Sequence, residues 1–255
     1  MLAAVKHRPN EKPAKGRRVL YAEDSPAARI VTTALLEKLG YQVDAVEDGE
    51  AALSHARSAS YDVILLDIEM PVMDGVTAAR RIRALPGSNG EAPILALSAF
   101  LADSTEATHW RDAFDCALPK PANRNELENA LNRALDLRAA HHGRPVDALL
   151  LPSGAADGVA VLAGLREALP QGSWTRLLAT AAGEMRHAVM VMAACAEAGD
   201  GECVARAAHS LEGLARTFVA EEIFGLAREL QSAETAFTPL RLATLFAAID
   251  RWQGQ

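Results

Sequence analysis

Val63-Ile64-Leu65-Leu66-Asp67 opens the stretch that decides the fold, and it runs on as Ile68-Glu69-Met70-Pro71-Val72-Met73-Asp74-Gly75. Four apolar residues in a row, without polar alternation, read as a strand buried on both faces, the pattern of a parallel sheet covered by helices. Upstream, Val19-Leu20-Tyr21-Ala22 reads the same way, and so does Pro93-Ile94-Leu95-Ala96-Leu97 downstream. Gln42-Val43-Asp44-Ala45-Val46 and Cys116-Ala117-Leu118 complete a set of five short runs.

Helical patterns fill the gaps. Ile30, Val31, Leu35, Leu36 and Leu39 form a stripe that starts after Ser25-Pro26 and stops at Gly40. A serine cap, a proline at the first helical position and a glycine past the end frame that helix. Strand alternating with helix predicts an α/β doubly wound five-stranded parallel sheet over residues 18–137.

Beyond Leu137 no further strand is expected. Gly143, Arg144-Pro145, Pro152 and Gly154 mark residues 138–158 as a linker. Residues 159–253 are helical and rich in alanine, with turn signals at Pro170-Gln171-Gly172, Gly199-Asp200-Gly201 and Thr238-Pro239, so an all-α bundle of four or five helices is expected. Residues 1–17 are basic and poor in apolar residues, and read as a solvated, disordered tail.

Composition narrows the function. The chain has 255 residues, 50% hydrophobic and 23% charged, with a formal net charge of −7. That length suits one large domain or two small ones with real apolar cores, and the acidity argues against nucleic acid as a direct partner. No apolar stretch is long enough to span a bilayer and no secretory segment opens the chain. The three cysteines, Cys116, Cys195 and Cys203, show no CxxC spacing, which argues against a disulfide scaffold or a structural zinc and fits a cytoplasmic protein.

Ligands of a doubly wound sheet bind beyond the carboxyl ends of its strands. Those ends carry Glu23 and Asp24, then Asp67, then Ser98, then Lys120. Three converging carboxylates repel one another unless a cation lies between them, and all-oxygen donors favour Mg²⁺. Asp67 then reads as an oxygen nucleophile for phosphoryl transfer, with Lys120 and the Ser98 hydroxyl stabilising charge on the phosphoryl oxygens. Ala99 leaves room for a bulky phosphodonor.

Ala22-Glu23-Asp24-Ser25, the Leu66 to Gly75 string, Leu97-Ser98-Ala99 and Leu118-Pro119-Lys120-Pro121 together resemble the receiver domain of two-component response regulators. The resemblance implies Asp67 as phosphoacceptor, Asp24 as a direct Mg²⁺ ligand, Glu23 as a ligand through water, and the Glu69 backbone carbonyl as a further ligand. Ser98 and Lys120 match the family's switch hydroxyl and pocket lysine. Ala117 stands where the family usually has Tyr or Phe.

In the bundle, Val204, Ala208, Leu211 and Ala215 form one apolar arc. His209 falls roughly 140° from Val204 at a helical step of about 100°, so it is expected to face solvent, with Gly213 one turn on. Ala207-Ala208-His209-Ser210-Leu211-Glu212-Gly213 resembles the histidine-containing phosphotransfer (HPt) domain, whose exposed histidine exchanges phosphoryl groups with receiver aspartates. Glu212 stands where that family usually has lysine, and an acid three residues on is a near neighbour of His209.

The expectation is a phosphorelay protein without an ATP-dependent kinase domain of its own, with a sensor histidine kinase and other receiver or HPt proteins as partners. Two alternatives stay open: a receiver-regulated binding module whose bundle docks a partner without phosphotransfer, and the detached C-terminal part of a hybrid sensor kinase.

Overall fold

The computed structural model describes residues 16–98, 113–120, 122–141, 149–150, 158–231 and 238–253. The basic segment before residue 16, Ala99, and most of the expected linker lie outside the described residues.

The five expected strands are β1 (Arg18–Ala22), β2 (Gln42–Val46), β3 (Val63–Asp67), β4 (Ile94–Ser98) and β5 (Cys116–Pro119). Their order in space is β2-β1-β3-β4-β5, all parallel, which puts β3 at the centre with every residue buried. The helices around them are α1 (Pro26–Lys38), α2 (Gly49–Ser58), α3 (Gly75–Arg83), the single turn α4 (Ser88–Glu91), and α5 (Arg124–His141). Ser25 caps α1 by accepting from the Ala28 amide, Pro26 opens it, and Gly40 follows its end at φ 94°, a conformation that suits glycine. One residue of the predicted stripe differs: Ile30 is 44% exposed, while Val31, Leu35, Leu36 and Leu39 are buried.

Residues expected to be linker take part in the sheet. Helix α5 runs four residues past Leu137, to His141, and Leu149–Leu150 form a sixth short strand, β6, parallel to β5. Backbone N–H and C=O groups on the open side of β5 need partners, and these two residues supply them.

Period-2 alternation divides the sheet between two cores. Leu20, Ile64, Leu66, Ile94 and Ala96 face α2 and α3. Val19, Tyr21, Val63, Leu65 and Leu95 face α1 and α5, and on that side the apolar cluster runs on without a break into the C-terminal helices. Those are α6 (Gly158–Ala168), α7 (Gln171–Glu197), α8 (Gly201–Thr217), α9 (Glu221–Gln231) and α10 (Pro239–Gln253). They form a helical bundle in which α7 packs on α8 and α10, and α1 packs on α6, α7 and α8. Helices α7, α8 and α10 begin at the three predicted turn signals, and Asp200 caps α8 by accepting from the Cys203 amide. At the same turn Cys195 and Cys203 are joined as a disulfide with Cα atoms 5.7 Å apart, a local bridge that the cysteine spacing did not announce. Among the described residues no helix is long and apolar enough to cross a membrane.

Candidate functional site

The carboxyl edge of the sheet gathers its acids as expected. Glu23 and Asp24 follow β1, and Asp67 ends β3. Each offers a carboxylate oxygen within 4.8 Å of the other two. Glu23 is 2% exposed and Asp67 7% exposed, so neither is an ordinary solvated acid. Burial raises the proton affinity of both, and each is hemmed in by further negative charge. Asp24 is raised too, by burial and then by Glu23. Lys120 counters this crowding. Its Nζ donates to Glu23 at 2.5 Å and lies 2.8 Å from Asp67 Oδ2. Burial alone would lower its proton affinity, but the two carboxylates hold its pKa well above the usual lysine value.

Backbone geometry fixes these groups. The Lys120 amide donates to the Ser98 carbonyl at 2.8 Å, which brings the buried Ser98 and Lys120 to one edge. The Glu69 amide reaches Asp67 Oδ1 at 3.4 Å, and the Gly75 amide donates to the Ile68 carbonyl at 2.9 Å. A side chain at Gly75 would put its Cβ 2.0 Å from the Asp67 carbonyl oxygen, so the turn after β3 has room for glycine only.

His209 departs from its expected exposure. Ala208, Leu211 and Ala215 are fully buried as predicted, yet the His209 side chain is only 26% exposed. Its Nε2 lies 3.0 Å from Oε2 of Glu69, whose carboxyl is held below its ordinary pKa by that hydrogen bond. Asp24, Asp67, Glu69, Ser98, Lys120 and His209 thus border one cleft of about 640 Å³. The periodicity of α8 placed His209 outside the bundle core correctly; what covers it is the edge of the α/β domain. Gly213 also borders the cleft, and a Cβ there would meet nothing within 4 Å.

Glu212 corrects a second expectation. It is 3% exposed, and Arg216 donates to it at 3.1 Å while lying over the Phe224 ring. It borders the bundle interior, not the cleft, because the turn after His209 follows the apolar arc inward. Arg206, three residues before His209 on α8, borders the cleft.

One residue escaped the sequence reading. Glu184 of α7 accepts from Ser25 Oγ at 2.7 Å and from the Ala27 amide at 2.8 Å, fastening the bundle to the start of α1. An acid on a long helix has no local mark that sets it apart, and only the packing of α7 on α1 brings it there.

A carboxylate triad, a largely covered lysine and a hydroxyl thus stand together at the carboxyl edge of a doubly wound parallel sheet. Residues 19–132 match the response regulator receiver domain family, and this part of the chain is a receiver domain. It is 41% identical over 85 residues to the gliding motility regulatory protein of Myxococcus xanthus, covering 33% of this chain and 11% of that one. It is 35% identical over 112 residues to sensor protein GacS of Pseudomonas syringae, covering 43% and 12%, and 34% identical over 121 residues to the CAI-1 autoinducer sensor kinase/phosphatase CqsS of Vibrio cholerae, covering 48% and 18%. The chain therefore spans less than a fifth of the length of these curated relatives. Among solved structures, the receiver domain of a sensor histidine kinase from Pseudomonas aeruginosa PAO1, with magnesium in its active-site cleft, is 36% identical over 48% of this chain and 98% of its own, with a TM-score of 0.45.

Proposed function

We propose that the chain is a phosphorelay protein in which Asp67 accepts a phosphoryl group and His209, on an HPt-like bundle, exchanges it. The observation that carries this reading is the shared cleft: the imidazole of His209 and the carboxylate of Asp67 border the same space. In the first step an Asp67 carboxylate oxygen bonds to phosphorus while the donor's bond to phosphorus breaks, and its electron pair leaves with the donor. In the second, Nε2 of His209 gives its lone pair to phosphorus as the Asp67 oxygen–phosphorus bond breaks, returning that pair to the carboxylate. Nε2 must first release Glu69, which accepts its proton or yields as the ring changes tautomer. Lys120 holds positive charge beside Asp67 throughout.

Three crowded carboxylates with raised proton affinity, Glu23 and Asp67 buried and Asp24 half-buried, suit a hard divalent cation. Asp24, Asp67 and the Glu69 carbonyl would hold Mg²⁺ directly and Glu23 through water. When bound it would neutralise charge on the phosphoryl oxygens. The donor in this reading is a sensor histidine kinase, and other receiver or HPt proteins are the exchange partners.

The test is chemical. Acetyl [³²P]phosphate should label the chain, and part of the label should survive alkali and be lost in acid, as a phosphoramidate on His209 does. A second reading, a bundle that docks without phosphotransfer, draws on the continuous apolar core and the Glu184 contacts. It predicts acyl phosphate on Asp67 alone.

A further inference from the structure

The contact between α7 and α1 lies at the rim of the cleft. Helix α1 begins two residues after Asp24, and its cap, Ser25, accepts from the Ala28 amide while donating its own hydroxyl to Glu184. Glu184 also takes the Ala27 amide, one of the first N–H groups that a helix cannot satisfy internally. A carboxylate at that end meets the positive pole of the helix. At the other end of α1, Lys38 donates to the Gly164 carbonyl of α6 at 2.9 Å. Val31 and Leu35 of α1 share one apolar cluster with Leu177 and Ala181 of α7. With α7 held this way, α8 lies over the mouth of the cleft and His209 meets Glu69. Glu184 makes two hydrogen bonds across the boundary between the domains while touching none of the reacting groups.

We propose that Glu184 is the positioning residue that reserves the receiver's active edge for the bundle of its own chain. Phosphoryl exchange between Asp67 and His209 then runs within one molecule. A histidine carried by another protein reaches Asp67 only after the bundle lifts away, whereas a small phosphodonor enters through the cleft. This rests on the exchange chemistry set out above and adds the choice of partner to it.

The test uses pairs of full-length chains. A His209→Gln chain, labelled on Asp67 with acetyl phosphate, serves as donor, and an Asp67→Asn chain serves as acceptor on His209. Placing Glu184→Ala in both should speed transfer between the molecules by about tenfold, the scale of losing one or two net hydrogen bonds. The same substitution in the otherwise intact chain should slow transfer within the molecule and make it depend on concentration. Glu184→Gln, which keeps one acceptor oxygen but no charge, should fall between. With circular dichroism and thermal unfolding matching the parent, equal or slower transfer between Glu184→Ala chains overturns the proposal. If no chain, the parent included, carries acid-labile label, the exchange reading fails. X-ray scattering on the same proteins then decides the docking. A larger radius of gyration for Glu184→Ala supports Glu184 as the residue that closes the edge, and an unchanged one overturns it.

Discussion

Glu69 and His209, far apart in the chain, meet with their side-chain Oε2 and Nε2 atoms 3.0 Å apart. Glu69 follows the central strand by two residues and its amide touches Asp67. The same residue therefore borders the acid cluster through its backbone and the bundle through its side chain. This contact lies where the α/β domain and the bundle border one cleft.

Asp67→Asn should reduce labelling by acetyl phosphate to background while circular dichroism stays that of the parent. Asp24→Asn should leave the nucleophile in place, weaken Mg²⁺ binding and slow labelling by roughly tenfold or more, the scale of one lost metal ligand. Parental labelling of Asp67→Asn would assign the phosphoacceptor elsewhere.

Gly75→Ala should hurt both fold and chemistry. Its Cβ would meet the Asp67 carbonyl oxygen at 2.0 Å, so backbone must shift beside the nucleophile. A loss of about 2–3 kcal/mol in unfolding free energy, the range for overpacking, should accompany slower labelling. Urea unfolding and acetyl phosphate labelling measure the two.

Arg206→Gln should slow phosphorylation of His209 by about 3–10-fold at low salt, with the gap narrowing as salt rises, because an exposed surface cation is screened. Arg206 borders the cleft and pairs only distantly with Glu202, at 3.7 Å, so thermal stability should not change. A salt-independent effect would mean that Arg206 acts through the fold.

Glu212→Lys should destabilise the chain and not accelerate His209. Glu212 is buried against Arg216, and the substitution puts a second cation beside that guanidinium. A cost of roughly 1–3 kcal/mol fits a pair with one partner partly in solvent. Thermal unfolding should show it, and a faster transfer with unchanged melting would place Glu212 at the cleft after all.

Asp44 gives a pH test away from the cleft. The Tyr61 hydroxyl and then Arg18 hold its carboxyl below the usual range. A depressed pKa in the folded state adds stability that is present above the ordinary carboxylate pKa and is lost as pH falls through the folded value. Asp44→Asn should therefore flatten part of the acid limb of the stability curve, and an unchanged limb would show the contact to be energetically silent.

What was legible in the chain followed from local rules. Leu66 to Gly75, read with the other strand ends, located Glu23, Asp24, Asp67, Ser98 and Lys120 at one edge, because a parallel sheet leaves few places for its carboxyl ends to go. Helix α8 announced its inward arc. Its periodicity fixed which residues the bundle core takes, but not what another surface covers, and so His209 was expected in solvent. Leu149–Leu150 escaped notice because two residues carry no period, and their strand exists only by pairing with β5.

The sequence by itself determined the sheet, its acid cluster and a helical C-terminal region with a histidine outside its core. Burial periodicity, strand-end chemistry and caps are all written over a few neighbouring residues. Only the tertiary structure decided that α7 docks on α1, that Glu184 caps a helix of the other domain, that Glu212 turns inward to Arg216, and that Glu69 receives His209. Those contacts depend on how two apolar faces merge into one core, and no spacing along the chain encodes the angle at which they meet.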